Sequence, residues 1–498
     1  MKQKFFFILL LLLFTHLGYS EEICETGRDN IVERVVNRSY PSVFVPWAHS
    51  LLNHPRPDDI HEWSYLKNML AHRDLFWGGG FRSTHFQFSA EEGVRLASPA
   101  GTAEFDKGLR NQIHALNPNH LHLISIYYYG AHPEAYPEDW PYWLRDKSGD
   151  RIQDEGWSEL LIDYTHPEVQ DHFVQQAIAA AKCGIFDGIF MDWWDESQEW
   201  DQELADLYHG SKVDALVSLV RRIREAVGDD FLIIVNTNTR KVPRSAPYVN
   251  GAFMEAIGTV KGYPRERLVE IENALLWYEE NFRYPQVNCL EGWGLPSEPL
   301  DSPKNQQWAR VFTTLSLTHS DGYVSFATGI PGSNHQHIYE IWEGHSQEHA
   351  VGKSGDHTHQ QYWYPFYDAP LGRPVGEKGR RYKTPKGVSI EGLFIREFRQ
   401  TQTITLPTSA IGVASDVNNT VHTLPDLDGE IYLLNPTAPR KVTRNAPADI
   451  NNDDAINILD LVMVANALGG QEPDLNADGV VNILDLVIVA NAFGAPQE

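Results

Sequence analysis

The sequence predicts an α/β fold, a (β/α)8 TIM barrel, followed by a small β appendage and a small all-α module. Three observations lead to this prediction. Roughly 300 central residues, a normal size for one barrel domain, contain short apolar runs at fairly even spacing. Amphipathic stretches with apolar residues three and four apart separate these runs. The last fifty residues contain an internal repeat, and each half ends in an apolar helical stretch.

Eight short apolar runs are the candidate barrel strands. In chain order they are Val43–Trp47, Leu75–Gly79, Leu121–Tyr128, Gly188–Asp192, Phe231–Val235, Gly251–Glu255, Gln286–Glu291 and Gly322–Phe326. Three stretches between them have the spacing of amphipathic helices: Pro167–Ala181, Gln202–Val227 and Glu266–Asn281. Eight strands that alternate with helices close into a barrel.

The chain divides into five predicted segments. They are a signal peptide at 1–20, the barrel at 21–375, a small β domain at 376–440, a linker at 441–448 and the C-terminal module at 449–498. The β domain is predicted from the alternating segments Ser389–Phe398, Thr401–Leu406 and Glu430–Leu434. Prolines at 436 and 439 lie just before the linker and a proline at 447 lies within it, as is typical of a break between domains.

The N-terminus reads as a secretory signal. Lys2 and Lys4 precede the apolar run Phe5–Phe14, and small residues follow at 18 and 20. The apolar run is too short for a helix across a bilayer, and no later run approaches the roughly 20 residues needed. We therefore expect a soluble mature protein that is secreted or attached to a cell surface, with no transmembrane segment.

Charge and cysteine content narrow the function classes. The formal net charge is −26, and it becomes about −28 once residues 1–20 leave with two lysines and no acids. Phosphate backbones would repel so acidic a chain, so nucleic acid is not expected as a partner. Three cysteines, Cys24, Cys183 and Cys289, are too few for a disulfide scaffold, and the fold must rest on an apolar core.

A twelve-residue pattern occurs twice near the C-terminus, with the second copy 25 residues after the first. Oxygen side chains at positions 1, 3, 5, 9 and 12, with a backbone carbonyl at 7, are how a flexible loop surrounds Ca²⁺. The predicted ligands are Asp449, Asn451, Asp453, Ala455, Asn457 and Asp460, then Asp474, Asn476, Asp478, Val480, Asn482 and Asp485. We expect weaker binding in the first loop, because Asp454 replaces the usual glycine at position 6.

Asp at position 12 and two closely spaced loops without a preceding helix resemble the type I dockerin domain over Asp449–Gly494. The resemblance implies a cohesin-like or surface partner that contacts positions 10 and 11 of each loop. Those positions hold Ile458, Leu459, Ile483 and Leu484. Two interpretations stay open, an apolar docking face or mutual packing of the two loops.

Barrel enzymes carry their catalytic groups at the carboxyl ends of strands, and two predicted strands end in acids, Asp192 and Glu255. Glycoside hydrolysis needs two carboxyl groups, one that protonates the leaving oxygen and one that attacks or activates water. Trp193 and Trp194 follow Asp192 and could stack on a sugar ring. A single strand-end acid is often a helix cap, but two on non-adjacent strands favour a catalytic pair.

Three motifs carry a second resemblance: 143–150 (WLRDKSGD), 161–169 (LIDYTHPEV) and 186–192 (FDGIFMD). With them, the stretch Trp47–Gly329 resembles barrel-fold glycoside hydrolases of the endo-α-1,4-polygalactosaminidase-like group. The resemblance implies that Asp192 is the nucleophile or base and Glu255 the acid. It bears on the class of reaction more than on the substrate.

Other polar residues at strand ends have two interpretations each. Asn236 and Asn238, after the fifth strand, would bind substrate or satisfy loop backbone. Glu291, beside Trp293, is the substitute for Glu255 and otherwise a ligand for a sugar hydroxyl. The predicted substrate-binding residues are Trp193, Trp194, Asn236, Glu291 and Trp293. Asp163 is expected to be a helix cap or strand-end anchor.

A histidine-rich segment follows the eighth strand, with histidines at 335, 337, 345, 349, 357 and 359. His345-Ser-Gln-Glu-His349 matches a zinc-binding pattern in form. The surrounding stretch is polar and lacks the apolar periodicity of a buried helix, so a solvated loop or sugar-binding lid is favoured.

The sequence thus predicts a secreted glycoside hydrolase that cleaves O-glycosidic bonds of a polysaccharide, with calcium in the C-terminal module and no cofactor for catalysis. The alternative is a non-catalytic carbohydrate-binding or cell-surface protein on the same barrel. An esterase or zinc peptidase is less favoured, because the chain has no Gly-x-Ser-x-Gly elbow.

Overall fold

The computed structural model describes most of the barrel and parts of the two C-terminal regions. The described residues are 31–47, 70–78, 85–89, 93–97, 102–154, 159–197, 202–259, 261–295, 298, 301–327, 362–383, 386, 389–398, 401–405, 412–415, 421–424, 427–433, 448, 450, 458–470, 473, 475 and 480–491. The predicted signal peptide, Cys24, the histidine-rich segment and nearly all of the linker lie outside them.

Eight parallel strands form the central sheet. In sheet order they are β1 (Phe44–Val45), β2 (Leu75–Gly78), β5 (Leu121–Ser125), β8 (Gly188–Met191), β9 (Leu232–Asn236), β10 (Gly251–Ala256), β11 (Cys289–Trp293) and β12 (Tyr323–Ala327). A parallel bridge between Val43 and Val324 joins the last strand to the first. The sheet is therefore a closed (β/α)8 barrel, and each strand coincides with one of the eight predicted apolar runs.

Helices pack around the barrel. They are α1 (Ile31–Asn37), α2 (Thr102–Leu116), α3 (Pro167–Lys182), α4 (Lys212–Val227), α5 (Arg265–Asn281) and α6 (Pro303–His319). The helix predicted over 202–227 is divided into a 3-10 turn at Gln202–Leu207 and α4. The reason is local, since the Ser211 hydroxyl accepts a hydrogen bond from the Asp214 amide and so caps a new helix.

An aromatic layer fills the barrel interior. It contains Phe44, Trp77, Phe190 and Phe253, all completely buried. Trp77 stacks on Phe190 with ring centroids 4.5 Å apart and meets Phe253 edge to face at 4.9 Å. Because barrel side chains alternate between the interior and the helix layer, this filling fixes which later residues of each strand face inward.

The amino-terminal end of the barrel is closed by α1. Ile31 and Val35 join the interior cluster, and Arg34 forms a 2.6 Å ion pair with Asp187, which directly precedes β8. Burial by itself would raise the pKa of Asp187, but the guanidinium groups of Arg34 and Arg110 hold that pKa well below its usual range. This ion-pair cluster therefore serves structure at the end opposite the strand carboxyl termini.

Two short ribbons extend from the loops that follow β2 and β5. β3 (His85–Ser89) pairs with β4 (Gly93–Ala97), and β6 (Gly130–Ala131) pairs with β7 (Leu160–Leu161). These loops leave the carboxyl ends of barrel strands, so the ribbons stand on the same side as any catalytic face.

The predicted β appendage contains a four-stranded sheet and a separate hairpin. The sheet consists of β13 (Arg381–Lys383), β14 (Ser389–Glu397), β15 (Thr401–Thr405) and β18 (Gly429–Leu433), and the hairpin of β16 (Gly412–Ser415) and β17 (Val421–Leu424). The sheet contacts α6 of the barrel.

A buried arginine joins the appendage to the barrel. Arg396 is 3 % exposed and donates to the carbonyls of Leu317 and Ser320, at 2.9 and 2.7 Å, and to the Asp321 carboxylate. On the periphery, Arg310 of α6 forms a two-pronged ion pair with Asp428. The sheet is thus attached through polar groups removed from water, which favours a fixed orientation.

The C-terminal module contains two described helices, α7 (Ile458–Asn466) and α8 (Ile483–Asn491). They lie in the apolar helical stretches that the sequence predicts at the end of each half of the repeat. A small core of Ala448, Val464, Val481 and Val489 lies between them. Across the described residues, no helix has the length and apolar character to cross a membrane.

We predict that Arg396→Leu destabilises the barrel as well as the appendage. The change leaves the Leu317 and Ser320 carbonyls without their buried donor and breaks a buried ion pair, which costs about 3–5 kcal/mol. Calorimetry should show the barrel transition several degrees lower. Arg380→Leu removes a half-exposed pair with Glu397 on the same sheet and should shift it little. An unchanged barrel transition in Arg396→Leu would mean that the two regions are stabilised independently.

Candidate active site

The polar residues at the strand ends lie on the inner face of the barrel, one step beyond the aromatic layer. Asp192 is two residues after Phe190 and Glu255 is two after Phe253, so both side chains point inward like the rings below them. Asn236 likewise follows inward-facing Ile234 on β9, between the two acids. The carboxyl ends of three consecutive strands therefore bring these side chains together.

Asn236 connects the two acids directly. Its Nδ2 donates to Asp192 Oδ1 at 2.8 Å and to Glu255 Oε2 at 3.4 Å. The orientation of the amide is fixed, because its Oδ1 accepts a 3.1 Å hydrogen bond from the Asn238 backbone N–H. Asn236 thus satisfies loop backbone, which is one of the two interpretations left open by the sequence, and it also contacts both acids; its binding of substrate stays a prediction.

The two carboxyl groups are close. Because one nitrogen contacts both, Asp192 Oδ1 and Glu255 Oε2 cannot be more than about 6 Å apart. Both residues are partly exposed, whereas Asn236 is buried. The site is therefore a pair of solvent-accessible carboxyl groups held at a short separation by a buried amide.

Glu291 lies deeper than predicted. It is the register partner of Glu255 on the neighbouring strand, but it is completely buried and accepts a 2.9 Å hydrogen bond from Ser325 Oγ. A carboxyl group with no exposed surface cannot bind a sugar hydroxyl at the surface of a cleft. Its predicted role as a substrate ligand is therefore corrected to that of an interior neighbour of Glu255.

The predicted tryptophans separate into one surface residue and two core residues. Trp193 is 37 % exposed, whereas Trp194 is 1 % and Trp293 2 % exposed. The Trp194 indole N–H donates to Ser245 Oγ at 3.0 Å, which turns the ring toward the helix layer. The prediction that Trp194 and Trp293 bind substrate is corrected accordingly, and Trp193 is the one of the three available for stacking.

Trp193 adopts a backbone conformation that non-glycine residues rarely occupy, with φ of 53°. The buried Tyr128 hydroxyl donates to the Trp193 carbonyl at 2.6 Å, and the Trp194 N–H donates to the Asn236 carbonyl at 2.8 Å. Burial, with smaller contributions from Tyr164 and the Asp192 charge, raises the pKa of Tyr128 far above its usual value, so the hydroxyl stays a donor. These bonds hold the Asp192-to-Trp194 segment in place.

The sequence did not single out four further residues at this end of the barrel. Trp47 and Tyr127 follow β1 and β5, and their rings stack with centroids 6.3 Å apart. Tyr129 lies edge-on to Trp193 at 6.2 Å. Glu159 precedes β7, and its pKa is raised by burial and by the charges of Asp154 and Asp192. The run of three tyrosines after an apolar strand was the available signal for the aromatic residues.

Asp163 is an anchor, as predicted. Its carboxylate accepts hydrogen bonds from the Thr165 amide and hydroxyl and from the His209 amide at 2.9 Å. It therefore joins the loop after β7 to the loop before α4. Within the described ranges, no group of three metal-ligating side chains comes together.

The calcium loops are described at four of the twelve predicted ligand positions, Asp460, Val480, Asn482 and Asp485. Asp460 and Asp485 are both completely buried. Their Oδ1 atoms accept equivalent hydrogen bonds, from the Ile450 amide at 2.7 Å and the Leu475 amide at 2.6 Å. Buried carboxylates are costly without a compensating charge, so these residues fit a bound cation. The other eight predicted ligands lie outside the described residues.

Comparison with known proteins identifies the C-terminal module. Residues 447–494 match the model of the Dockerin type I domain, a family whose members typically bind calcium. No curated protein matches the chain.

Among solved structures, an α-amylase from Lactobacillus plantarum has a TM-score of 0.44 at 11% identity, with 81% of this chain and 99% of the other covered. A maltogenic α-amylase from Thermotoga neapolitana has 0.40 at 11% identity, covering 79% and 97%. Ega3 from Aspergillus fumigatus, in complex with galactosamine, has 0.29 at 11% identity, covering 44% and 79%. These likenesses are remote, and the barrel assignment rests on the strand order and closure described above.

We predict that Tyr128→Phe releases the segment that carries Asp192. Loss of the hydroxyl leaves the Trp193 carbonyl without its buried donor, which costs about 1–2 kcal/mol. With 5-fluorotryptophan labelling, the Trp193 fluorine resonance, assigned by Trp193→Phe, should shift or broaden. Tyr263→Phe is the matched control, because that buried hydroxyl also donates to a backbone carbonyl, that of Ala256, at 2.7 Å. A Trp193 resonance that moves equally in both variants would contradict the prediction.

Proposed function

We propose that the barrel is a glycoside hydrolase that cleaves O-glycosidic bonds of a polysaccharide, with Asp192 and Glu255 as its catalytic carboxyl groups. The observation that carries this proposal is the single Asn236 amide that donates to both acids. Glycoside hydrolysis requires two accessible carboxyl groups at short separation. Here they lie at the carboxyl ends of barrel strands, beside an exposed tryptophan that can stack on a sugar.

The short separation supports retention of configuration. Retaining enzymes place the two groups about 5–5.5 Å apart, whereas inverting enzymes need about 6.5–9.5 Å to accommodate a water molecule. In the retaining route, Asp192 attacks the anomeric carbon while Glu255 protonates the departing oxygen. Water then displaces Asp192 from the sugar ester as Glu255 removes its proton.

Asp192 suits the nucleophile. It receives the shorter bond from Asn236, 2.8 Å against 3.4 Å for Glu255, and hydrogen bonds to the ionised form of a carboxyl group favour that form. Within the class, the resemblance to endo-α-1,4-polygalactosaminidase-like proteins makes galactosamine-rich polymers the first substrates to test.

The C-terminal module would attach this enzyme to a scaffold or surface outside the cell through a cohesin-like partner. Ile458 and Val462 on α7, and Ile483 and Val487 on α8, occupy matching positions of the repeat and are all exposed. Matching exposed apolar pairs support the docking interpretation over mutual packing of the loops.

We predict that Asp192→Asn abolishes release of reducing ends, whereas Glu255→Gln lowers it about 10²- to 10⁴-fold, the usual contribution of a general acid. Glu255→Gln should recover most of its rate on substrates whose leaving group needs no proton, and Asp192→Asn should not. Glu168→Gln, an exposed acid in the first turn of α3, is the control for charge loss.

Proton NMR of the first product should show the anomeric configuration of the substrate. The opposite anomer would contradict the nucleophilic role of Asp192. A wild-type protein that binds a polymer tightly but hydrolyses none, with binding kept in Asp192→Asn, would instead support the non-catalytic carbohydrate-binding alternative.

We also predict that calcium orders the C-terminal module alone. Chelator should abolish amide-exchange protection across α7 and α8 of the full chain, because Asp460 and Asp485 would then be buried charges without a cation. Peptides from β8 to β11 should exchange as before. Asp485→Asn should mimic the chelator in α8. If amide-exchange rates in α7 and α8 change with neither the chelator nor Asp485→Asn, the calcium assignment is wrong.

A further inference from the structure

A third carboxyl group stands on the rim beside the catalytic pair. Glu159 directly precedes β7, in the ribbon that follows barrel strand β5. Its Oε2 lies 3.4 Å from the position that a Cβ on Gly130 would occupy, so the carboxyl group lies against the paired strand of the ribbon. Glu159 is partly exposed, and it is therefore accessible to a ligand that enters from the rim.

Three charged or titratable side chains are close enough to Glu159 to affect its pKa. Burial raises its pKa first, and the charges of Asp154 and Asp192 raise it further, whereas His132 acts in the opposite direction. Asp192 is thus close enough to interact electrostatically with it. Within the part of the chain that the structure describes, no side chain or amide donates a hydrogen bond to the Glu159 carboxyl group, although such groups are normally satisfied when partly buried.

Tyr129 lies near both Glu159 and Asp192. Burial and then the charges of Asp192 and Glu159 raise the pKa of Tyr129, and the Trp193 indole N–H donates a hydrogen bond to the Tyr129 hydroxyl oxygen. Trp193 and Tyr127 are 37 % and 36 % exposed, which is unusual for large aromatic residues beside a buried core. Glu159 Oε2 lies beside Gly130, the residue after Tyr129, and the Tyr129 and Trp193 rings are 6.2 Å apart. The exposed Trp193 side chain and an acceptor without a donor therefore lie in the same part of the rim, where a sugar ring can stack on the one and hydrogen-bond to the other.

We propose that Glu159 is a specificity-determining residue, which accepts a hydrogen bond from a donor on the sugar ring that stacks against Trp193. This inference rests on the proposed hydrolase function and adds a subsite to it. The donor is a hydroxyl or an ammonium group of the substrate.

A metal ion does not explain the site equally well. Glu159 and Asp192 would have to supply its ligands, and no third metal-ligating side chain joins them among the described residues. A single sugar donor requires one carboxyl group only, and Glu159 supplies it.

The test compares Glu159→Gln with wild type and with Glu134→Gln, an exposed acid that follows β6 on the same ribbon. The substrates are a partly deacetylated galactosamine polymer, its fully N-acetylated form and a neutral glucan. We expect kcat/KM to fall about ten- to hundredfold in Glu159→Gln, mainly through KM, which is the cost of losing a hydrogen bond to a charged group. Glu134→Gln should match wild type.

The polymers distinguish the two donors. A loss confined to the deacetylated polymer identifies an ammonium group, and an equal loss on every polymer that is hydrolysed identifies a hydroxyl. With wild type, KM should rise as falling pH protonates Glu159, and Glu159→Gln should lack this rise. His132, Asp154 and Asp192 are present in both proteins, so the difference between the two profiles reports on Glu159.

Binding separates this inference from the hydrolase proposal. Affinity electrophoresis in gels containing the same polymers compares Glu255→Gln with the Glu255→Gln/Glu159→Gln double variant. Weaker binding of the double variant supports the subsite even where wild type shows no turnover, in which case only the hydrolase proposal fails. Equal binding by both proteins, or an unchanged KM in folded Glu159→Gln, overturns the role of Glu159.

Discussion

The alternation of side chains along the barrel strands is the constraint on which the site depends. Phe190 and Phe253 fill the interior, and each strand must then direct its residue two positions later to the same side. Asp192 and Glu255 occupy those positions, and Asn236 follows Ile234 in the same way. A one-residue slip in any of these strands would send an acid into the helix layer, so the packing of the aromatic layer also specifies the geometry of the carboxyl pair.

The barrel could be predicted because its signal is local. Each strand is a short apolar run, and all eight coincide with a strand of the structure within a few residues. The pairing of Asp192 with Glu255 could be proposed for the same reason, since parallel strands end at one rim. Depth was harder to predict. Glu255 and Glu291 are register partners on similar apolar strands, yet of the two only Glu255 reaches solvent, and the depth of a strand-end residue is not encoded in the apolar pattern of its own strand.

The residues that escaped prediction depend on backbone conformations and on ribbons without strong periodicity. Trp193 is exposed and Trp194 is buried because the backbone makes a left-handed turn at Trp193. The residues Asp-Trp-Trp contain no signal that predicts this turn. Glu159 precedes a strand of two residues, too short for an alternating pattern to be recognised. Its neighbour Gly130 is 29 residues earlier in the chain, so their contact exists only once the ribbon has paired.

The choice of an amide to connect the two acids has a chemical consequence. Two carboxylates with oxygens no more than about 6 Å apart would repel each other, and an arginine or lysine between them would relieve the repulsion by favouring the ionised form of both. In the proposed mechanism one acid protonates the leaving oxygen and the other attacks the anomeric carbon. Asn236 donates hydrogen bonds to both carboxyl groups without adding charge, so it does not favour the ionised form of both as strongly as a cation would. A neutral donor at this position therefore suits a site in which two neighbouring acids are proposed to take different roles.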